Sequence, residues 1–177
     1  MAQYAFYQSP SPIKPMPSSL SQAENVWCPR VTVACVVARA DRFLIVEEEI
    51  FGKLAYNQPA GHLDPNETLQ AAAVRETLEE TGHNIALDAF LGVWQWTSHE
   101  HGEQVLRFSF AGHVLSYDPE RTLDEGIQRA LWLRRDEIEA LGARLRSPLI
   151  LPTIDAWLDG RRLPLDTVES LLPGAAP

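Results

Sequence analysis

The pattern of hydrophobic and polar residues divides the chain into a tail and a folded body. Residues 1–29 contain five prolines, with serines between them, and show no period of 2 or 3.6, so we expect little regular structure there. Residues 31–37 are apolar and β-branched, which is typical of a buried strand. Ala40 and Asp41 interrupt this pattern before residues 43–46 resume it, and a β-hairpin is therefore predicted.

A helix is predicted between residues 64 and 82. Asp64 suits the N-cap, Pro65 suits the first helical position, and Glu67 follows the cap by three residues, as in a capping box. Gly82 suits the position after the last helical residue, because glycine adopts the left-handed conformation without a steric penalty. The sequence thus predicts a helix that is rich in glutamate.

The rest of the chain mixes strand and helix patterns without a regular βαβ alternation. This arrangement favours an α/β sandwich with a mixed sheet. Strands are predicted at residues 90–97, 105–114 and 130–133, and helices at residues 136–141 and 147–158. We expect one domain over residues 30–166, between the proline-rich N-terminal tail 1–29 and a C-terminal tail 167–177.

Length, charge and composition narrow the classes of function. A chain of 177 residues suits one domain. Its formal net charge of −9, without a basic cluster, argues against a nucleic acid polymer as the partner. No apolar run approaches the roughly 18 residues that span a bilayer. The N-terminus shows no secretory signal pattern, so we expect a cytoplasmic protein without a membrane partner.

Three glutamates of the predicted helix share one face. At about 100° per residue, Glu76, Glu79 and Glu80 lie within an arc of roughly 100°, and each like-charge pair costs a few tenths of a kcal/mol. Arg75 projects roughly 100° away from Glu76, so we expect no basic side chain on this face. A divalent cation would offset the repulsion, and oxygen ligands select Mg²⁺ or Mn²⁺ over zinc. A solvated acidic face is the alternative explanation.

The spacing around this helix reads G-x5-E-x7-R-E-x-x-E-E-x-G, with the specified residues Gly61, Glu67, Arg75, Glu76, Glu79, Glu80 and Gly82. This pattern resembles the signature of the Nudix hydrolase family, and it is far more specific than a lone glycine-rich loop. The resemblance implies a Nudix-type α/β/α sandwich with a mixed β-sheet. Thr77 and His83 stand where the family usually has bulky aliphatic residues, and we expect His83 at the surface or capping the helix end.

The resemblance also implies roles for the residues of the signature. Glu79 and Glu80 would bind the metal directly, and Glu76 would be a further ligand or the base that takes the proton of the attacking water. Arg75 would orient a neighbouring glutamate. Glu67 would support the ligands from behind through hydrogen bonds.

Further ligands would come from outside the helix. The backbone carbonyl of Ala60 or Gly61 is one candidate, which explains a small residue there, and an ordinary turn glycine is the alternative. Many family members add an acidic residue from a later loop, here Asp124 or Glu125, of which we favour Asp124. A solvated loop acid explains either residue equally well.

Residues outside the signature are candidates for substrate binding. Trp96 could stack on a flat ring, although aromatic strand residues lie more often in a core. Asn57 and Gln58 could hydrogen-bond a base edge or a phosphate. Arg107 could pair with a phosphate, or it could be a charge on a strand face.

Residues 31–166 resemble the bacterial NudJ-type branch of the family. That resemblance implies a metal-dependent pyrophosphohydrolase that cleaves a small phosphorylated metabolite, either a nucleoside di- or triphosphate or the pyrimidine pyrophosphate precursor of thiamine. We expect Mg²⁺, with Mn²⁺ as a substitute, and a monomer or a homodimer. The alternative is a nucleotide-sensing module of the same fold without turnover. The intact set of glutamates argues against it, because degenerate sensors usually lose one of these acids.

Overall fold

The computed structural model describes residues 27–97 and 102–172, so the prediction for residues 1–26 lies outside the described part. Within these ranges the strands are β1 (Arg30–Arg39), β2 (Arg42–Ile50), β3 (Lys53–Asn57), β4 (Ala60–His62), β5 (His83–Thr97), β6 (Gln104–Tyr117) and β7 (Ile127–Arg134). The helices are α1 (Leu69–Thr81), α2 (Arg135–Ala140) and α3 (Ile150–Leu158), with 3-10 turns at Gly142–Arg144 and Leu165–Thr167.

The strands join one mixed sheet, as predicted. The strand order is β3-β2-β1-β6-β5, with β4 paired to β1 and β7 paired to β2. β1 and β6 run parallel, whereas the other pairs are antiparallel. The predicted hairpin is confirmed, because Ala38 pairs with Phe43 and Arg39 pairs with Arg42.

Alternate residues of β1 contribute to hydrophobic cores on opposite faces of the sheet, because side chains two residues apart share a face. Val33, Cys35 and Val37 pack with Ala72 and Ala73 of α1 on one face. The core of the opposite face, beneath α2 and α3, includes Val36, Phe43, Ala111, Ile138, Ile150 and Ile154. Helices therefore cover both faces, and the α/β/α sandwich is confirmed. None of the described helices is both long and apolar enough to cross a membrane.

The start of α1 differs from the prediction. Its first residue is Leu69, and Thr68 is the N-cap, whose Oγ1 accepts a hydrogen bond from the Ala71 N–H at 3.1 Å. The segment predicted as the first helical turn is a separate turn, in which Asn66 has a φ of 64°. A residue in the left-handed region cannot continue a right-handed helix. Asp64 therefore does not cap α1, and that prediction is wrong.

The end of α1 at Gly82 follows the prediction, whereas the environment of His83 differs from it. Gly82 ends the helix with a φ of 70°. The fully buried Thr77 donates its hydroxyl to the Ala73 carbonyl at 2.8 Å, so a polar residue fits this position through a local hydrogen bond. His83 is buried, and its ring stacks on Tyr117 with 4.5 Å between the centroids. The expected surface position of His83 is wrong, because β5 starts at this residue and turns it inward. The other expected role, a cap of the helix end, is supported, since His83 Nδ1 lies 2.9 Å from the carbonyl of Thr81, the last residue of α1.

The last described residues pack back onto α1. The Gln70 side chain donates from Nε2 to the carbonyls of Leu165, at 3.4 Å, and Val168, at 2.9 Å. Both of these residues are partly buried against the core on the α1 side of the sheet. The domain boundary predicted at residue 166 therefore falls within a packed segment.

Candidate metal centre

Carboxylates from two elements converge at one place on the surface of α1. Carboxylate oxygens of Glu76, Glu79 and Asp124 lie within 4.8 Å of one another. The glutamates come from α1, whereas Asp124 lies in the loop between β6 and β7. The Asp124 N–H donates to the Glu79 carbonyl at 3.2 Å, which ties this loop to the helix. Of the two loop acids considered in the sequence, Asp124 joins the group and Glu125 is not part of it.

The side chain of Arg75 lies among these carboxylates. Its Nη1 donates to Glu76 Oε1 at 2.9 Å and to Glu79 Oε2 at 2.8 Å. The expectation that no basic side chain shares this face is therefore wrong. Helical angles place the Cβ atom, but a long arginine side chain reaches along the helix to the residue four positions later. Arg75 thus holds two of the predicted ligands.

Glu67 holds the guanidinium of Arg75 from the other side. Nε donates to Glu67 Oε1 at 2.8 Å and Nη2 donates to Oε2 at 2.9 Å, which makes a bidentate pair. Nη2 also donates to the His62 carbonyl at 3.0 Å. These hydrogen bonds hold the pKa of Glu67 below its usual value and raise the pKa of Arg75. The guanidinium is therefore fixed between β4 and α1.

The centre stays acidic in spite of this arginine. Arg75 brings one positive charge to the carboxylates of Glu67, Glu76, Glu79 and Asp124. A donor set of oxygens alone fits Mg²⁺ or Mn²⁺ and lacks the sulfur and imidazole groups that are typical of zinc sites. Octahedral Mg²⁺ places opposite ligand oxygens about 4 Å apart, which small side-chain rotations would reach from the observed 4.8 Å limit. The residues present therefore fit a divalent cation.

Glu80 lies on the inner side of the same helix. Its Oε2 accepts a hydrogen bond from the Ala60 N–H at 2.8 Å, and the residue is only 8% exposed. Burial raises the pKa of this carboxyl to about 8, and the charges of Glu76 and Glu48 act in the same direction. Glu80 is not one of the three acids that converge. Its role as a direct ligand stays a prediction.

Gly61 leaves room for the carboxylate of Glu76. A Cβ atom built at Gly61 would lie 2.1 Å from Glu76 Cδ, far inside van der Waals contact. Gly61 is not among the residues with positive φ, so space explains this glycine and backbone conformation does not. The further role suggested for this segment, a backbone carbonyl of Ala60 or Gly61 as a ligand, stays a prediction.

We expect Arg75→Lys to lower kcat/KM about 10- to 100-fold, the range found when residues that orient metal ligands are changed. Lysine keeps the positive charge, but its ammonium lacks the planar fork that contacts Glu67, Glu76 and Glu79 at once. Steady-state kinetics over a series of Mg²⁺ concentrations would measure the effect. Arg129→Lys is the matched control, because Arg129 makes a similar fork with a distant glutamate. Unchanged kinetics in Arg75→Lys would contradict the positioning role.

Polar residues proposed for substrate binding lie in the interior. Asn57, Gln58 and Arg107 are 3%, 1% and 7% exposed, so Arg107 is not a surface charge. Burial, and to a lesser extent the charge of Arg146, lowers the pKa of Arg107 to about 10, whereas the carboxylates of Glu80 and Glu48 oppose this shift. These carboxylates therefore lie close enough to Arg107 to act on its charge.

Trp96 lies on the same side of the sheet as Arg107. Arg107 on β6 pairs with Trp94 on β5, and directly paired residues point to the same face. Trp96 follows Trp94 by two residues, so its ring points that way as well, and it is partly buried. The structure thus places an aromatic ring and a buried guanidinium on one face.

Sequence reasoning assigned no role to Glu48 or Arg146. Glu48 is buried, and Arg146 Nη1 donates to its Oε2. Successive side chains of a strand point to opposite faces, so Glu48 points away from the face of Glu47 and Glu49. This alternation could have singled out Glu48 in the sequence. The partner is 98 residues away, so the sequence around Glu48 gives no local sign of the pair.

Comparisons with known proteins agree with this geometry. The NUDIX domain model matches residues 29–154. The chain is 41% identical over 140 residues to "Phosphatase NudJ" of Escherichia coli strain K12, a match that covers 79% of this chain and 90% of the relative. Phosphatase NudJ of Shigella flexneri gives the same values. A solved NUDIX hydrolase from Nitrosomonas europaea is 45% identical with a TM-score of 0.79, and the match covers 81% of this chain and 97% of that one. The chain therefore belongs to the Nudix hydrolase family.

Proposed function

We propose that this hydrolase cleaves a diphosphate linkage in a small phosphorylated metabolite and uses Mg²⁺, or Mn²⁺ in its place. The observation that carries the proposal is the convergence of Glu76, Glu79 and Asp124, whose oxygens lie within 4.8 Å of one another. Arg75 brings one positive charge to Glu76 and Glu79, and the negative charge that remains on the three acids favours a bound divalent cation. Diphosphate hydrolysis needs that cation, because negative charge builds up on the phosphate oxygens as the bond breaks.

The residues of the centre divide the work of binding and orientation. A bound divalent cation supplies charge stabilisation and lowers the pKa of a water molecule. Glu76, Glu79 and Asp124 would hold that cation. Arg75 keeps two of these carboxylates in position, and Glu67 fixes the guanidinium that does so. These hydrogen bonds within the protein hold the two carboxylates in place.

Substrates of the proposed reaction are nucleoside di- or triphosphates or the pyrimidine pyrophosphate precursor of thiamine. The resemblance of residues 31–166 to the NudJ-type branch implies this class, and the name of the relatives, phosphatase NudJ, agrees with a phosphorylated substrate. Arg107 suits a phosphate, since its buried Nε and Nη1 have no hydrogen-bond partner among the described residues. Asn57 and Gln58 offer donors and acceptors to a base edge, and Trp96 offers a flat surface for stacking. We also expect a cytoplasmic monomer or homodimer.

The direct test is a hydrolysis panel with pure protein and Mg²⁺ or Mn²⁺. The panel contains nucleoside di- and triphosphates, sugar nucleotides and the thiamine precursor, and mass spectrometry identifies the products. Release of phosphate or pyrophosphate from at least one compound supports the proposed reaction. Binding of a nucleotide without turnover of any compound would contradict it and favour the sensing module.

Separate substitutions of Asp124 and Glu125, the two neighbouring loop acids, would show which of them is the third ligand of the cation. We expect Asp124→Asn to lower kcat/KM about 100-fold, similar to the loss of one electrostatic contact at a reaction centre, and to raise the Mg²⁺ concentration needed for half-maximal rate. Its backbone bond to Glu79 remains possible in the variant. Glu125→Gln is the control and should leave both values nearly unchanged. A larger effect of Glu125→Gln would exclude Asp124 as the ligand.

A further inference from the structure

A cavity of about 370 Å³ lies at the end of α1, apart from the metal centre. Thr81, the last residue of α1, and His83, the first residue of β5, line it. None of the converging acids Glu76, Glu79 and Asp124 does. At about 100° per residue, Thr81 projects about 160° away from Glu79 around the helix. Pockets for small molecules start at about 300 Å³, so the cavity is large enough to hold one.

The side chains around this cavity carry a net positive charge, although the whole chain carries −9. Three arginines line it, Arg39, Arg121 and Arg129, and Asp118 is the one acid among the described residues of the lining. Within the described part of the chain, Arg39 and Arg121 form no ion pair, and Glu47 engages only Nε and Nη2 of Arg129. Guanidinium groups bind phosphate through paired N–H donors. The cavity therefore favours a phosphate group.

Three aromatic rings form one wall of the cavity, those of Tyr117, His83 and Trp132. The His83 ring stacks on Tyr117 and meets Trp132 edge to face, with 5.6 Å between these last two centroids. The Arg39 guanidinium lies over the Trp132 ring, 4.4 Å from its centroid, and this cation–π contact holds it on the wall. Arg39 is thus in place before a ligand arrives, which lowers the cost of binding.

The loop between β6 and β7 belongs both to this cavity and to the metal centre. Two backbone hydrogen bonds attach it to the end of α1. The Asp118 N–H donates to the Gly82 carbonyl at 2.9 Å, and the Asp124 N–H donates to the Glu79 carbonyl at 3.2 Å. Arg121 lies between these two points and lines the cavity. A ligand bound between Arg121 and the aromatic wall would therefore hold the loop against the body of the protein.

We propose that this cavity is a second binding site, which takes a phosphate group, free or carried by a small molecule, among Arg39, Arg121 and Arg129. We propose also that its occupation strengthens cation binding through the loop that carries Asp124. The site lies apart from the metal centre, so the proposal goes beyond the hydrolysis reaction. Ligand and cation would raise each other's affinity by the same factor, because coupling between two sites is reciprocal. We expect a factor of about five, at the lower end of the usual range.

Calorimetry on chelator-treated protein tests the site without a contribution from the cation. The ligands are inorganic phosphate and adenosine monophosphate, neither of which has a diphosphate bond to hydrolyse. The wild type should bind at least one of them, and Arg39→Gln and Arg121→Gln should each weaken that binding about tenfold or more, as expected for the loss of a hydrogen bond between charged groups. Arg162→Gln is the matched control, because the Arg162 guanidinium lies 4.6 Å from the Trp157 ring centroid, outside the cavity.

The two ligands distinguish the source of the phosphate group. Equal or tighter binding of inorganic phosphate would identify the free ion, whereas tighter binding of adenosine monophosphate would identify a molecule whose ring also contacts the aromatic wall. Both results support the site. No binding of either ligand, or an unchanged affinity in Arg39→Gln or Arg121→Gln, would overturn it.

Titration with Mn²⁺ in the presence and absence of the ligand tests the coupling, with a protein-free titration to correct for Mn²⁺ bound by the ligand itself. The ligand should raise the Mn²⁺ affinity of the wild type and of Arg162→Gln about fivefold and leave that of Arg39→Gln unchanged. An equal rise in Arg39→Gln, or no rise in the wild type, would overturn the coupling. Failure of the hydrolysis panel, by contrast, bears on the proposed reaction and leaves these affinities standing.

Discussion

Glu79→Gln should lower kcat/KM about 100- to 1,000-fold while the fold stays intact, and Glu80→Gln should do the same if Glu80 also binds the cation. Glutamine keeps the shape of the side chain and removes the negative charge that attracts the cation. Glu79 is half-buried and paired with Arg75. A partly exposed ion pair contributes little to stability, so Glu79→Gln should leave the melting temperature nearly unchanged.

The stability of Glu80→Gln should differ from that of Glu79→Gln in the metal-free protein. Glu80 is buried, and glutamine can still accept the Ala60 N–H through its amide oxygen. The charged form of Glu80 opposes folding, since its folded pKa of about 8 lies above the ordinary value. Glu80→Gln should therefore melt at a temperature several degrees higher than the wild type near pH 8 in a chelator.

The raised pKa of Glu80 also determines the direction in which the stability of the protein changes with pH. The folded protein retains a proton on Glu80 up to about pH 8. The unfolded chain releases this proton near the ordinary pKa of a glutamate, at about pH 4 to 5. This proton linkage makes the wild type less stable as pH rises from about 4.5 to 8, and Glu80→Gln lacks that contribution. Thermal melts of both proteins across this range, with a chelator present, would measure the difference. Parallel pH profiles would show that Glu80 is not held protonated.

Enzyme activity is the second property to measure for Glu79→Gln and Glu80→Gln. Kinetics at several Mg²⁺ concentrations would show whether added metal restores the rate. Glu125→Gln serves as the common control, because its carboxylate is outside the converging group. Full activity in both Glu79→Gln and Glu80→Gln would place the cation elsewhere in the protein.

Gly61→Ala should lower kcat/KM about 100-fold with only a small change in melting temperature, because a displacement of about 1 Å at a reaction centre can cost that much. The added Cβ would lie 2.1 Å from Glu76 Cδ. The Glu76 carboxylate is the end of a flexible side chain and can move away, whereas the backbone at Gly61 has no positive φ that alanine would strain. The substitution therefore displaces a proposed ligand and leaves the sheet in place.

A double-mutant cycle with Glu76→Ala would test this explanation. Glu76→Ala removes the carboxylate that the new methyl group would push, so Gly61→Ala should add no further loss in that background. Equal losses from Gly61→Ala in both backgrounds would contradict the steric account. They would favour the backbone carbonyl of this segment as the element disturbed by the change.

Periodicity and turn chemistry predicted most of the fold because they are local. The β-branched run at residues 31–37 and the end of α1 at Gly82 lie where the sequence places them. The start of α1 was missed, since Asp64 and Thr68 are both good N-caps and only the left-handed Asn66 decides between them. A local sequence pattern cannot choose between two suitable N-cap residues when the choice depends on the backbone angle of a residue between them.

The candidate centre shows the same division between local and long-range information. Spacing along one helix brings Glu76 and Glu79 together, and the sequence predicts this. The reach of Arg75 depends on side-chain conformation, and the arrival of Asp124 depends on a loop closing onto α1. Glu48 and Arg146 meet across 98 residues. Such contacts follow from the packed fold and from no pattern of neighbouring residues.

Titration of chelator-treated protein with Mn²⁺, followed by the paramagnetic resonance signal of the free ion, tests the central claim most directly. The wild type and Glu125→Gln should bind Mn²⁺ saturably, whereas Glu79→Gln and Asp124→Asn should bind it at least about tenfold more weakly. Equal binding by all four proteins would contradict the account, because the cation would then be held by residues other than those that converge on α1.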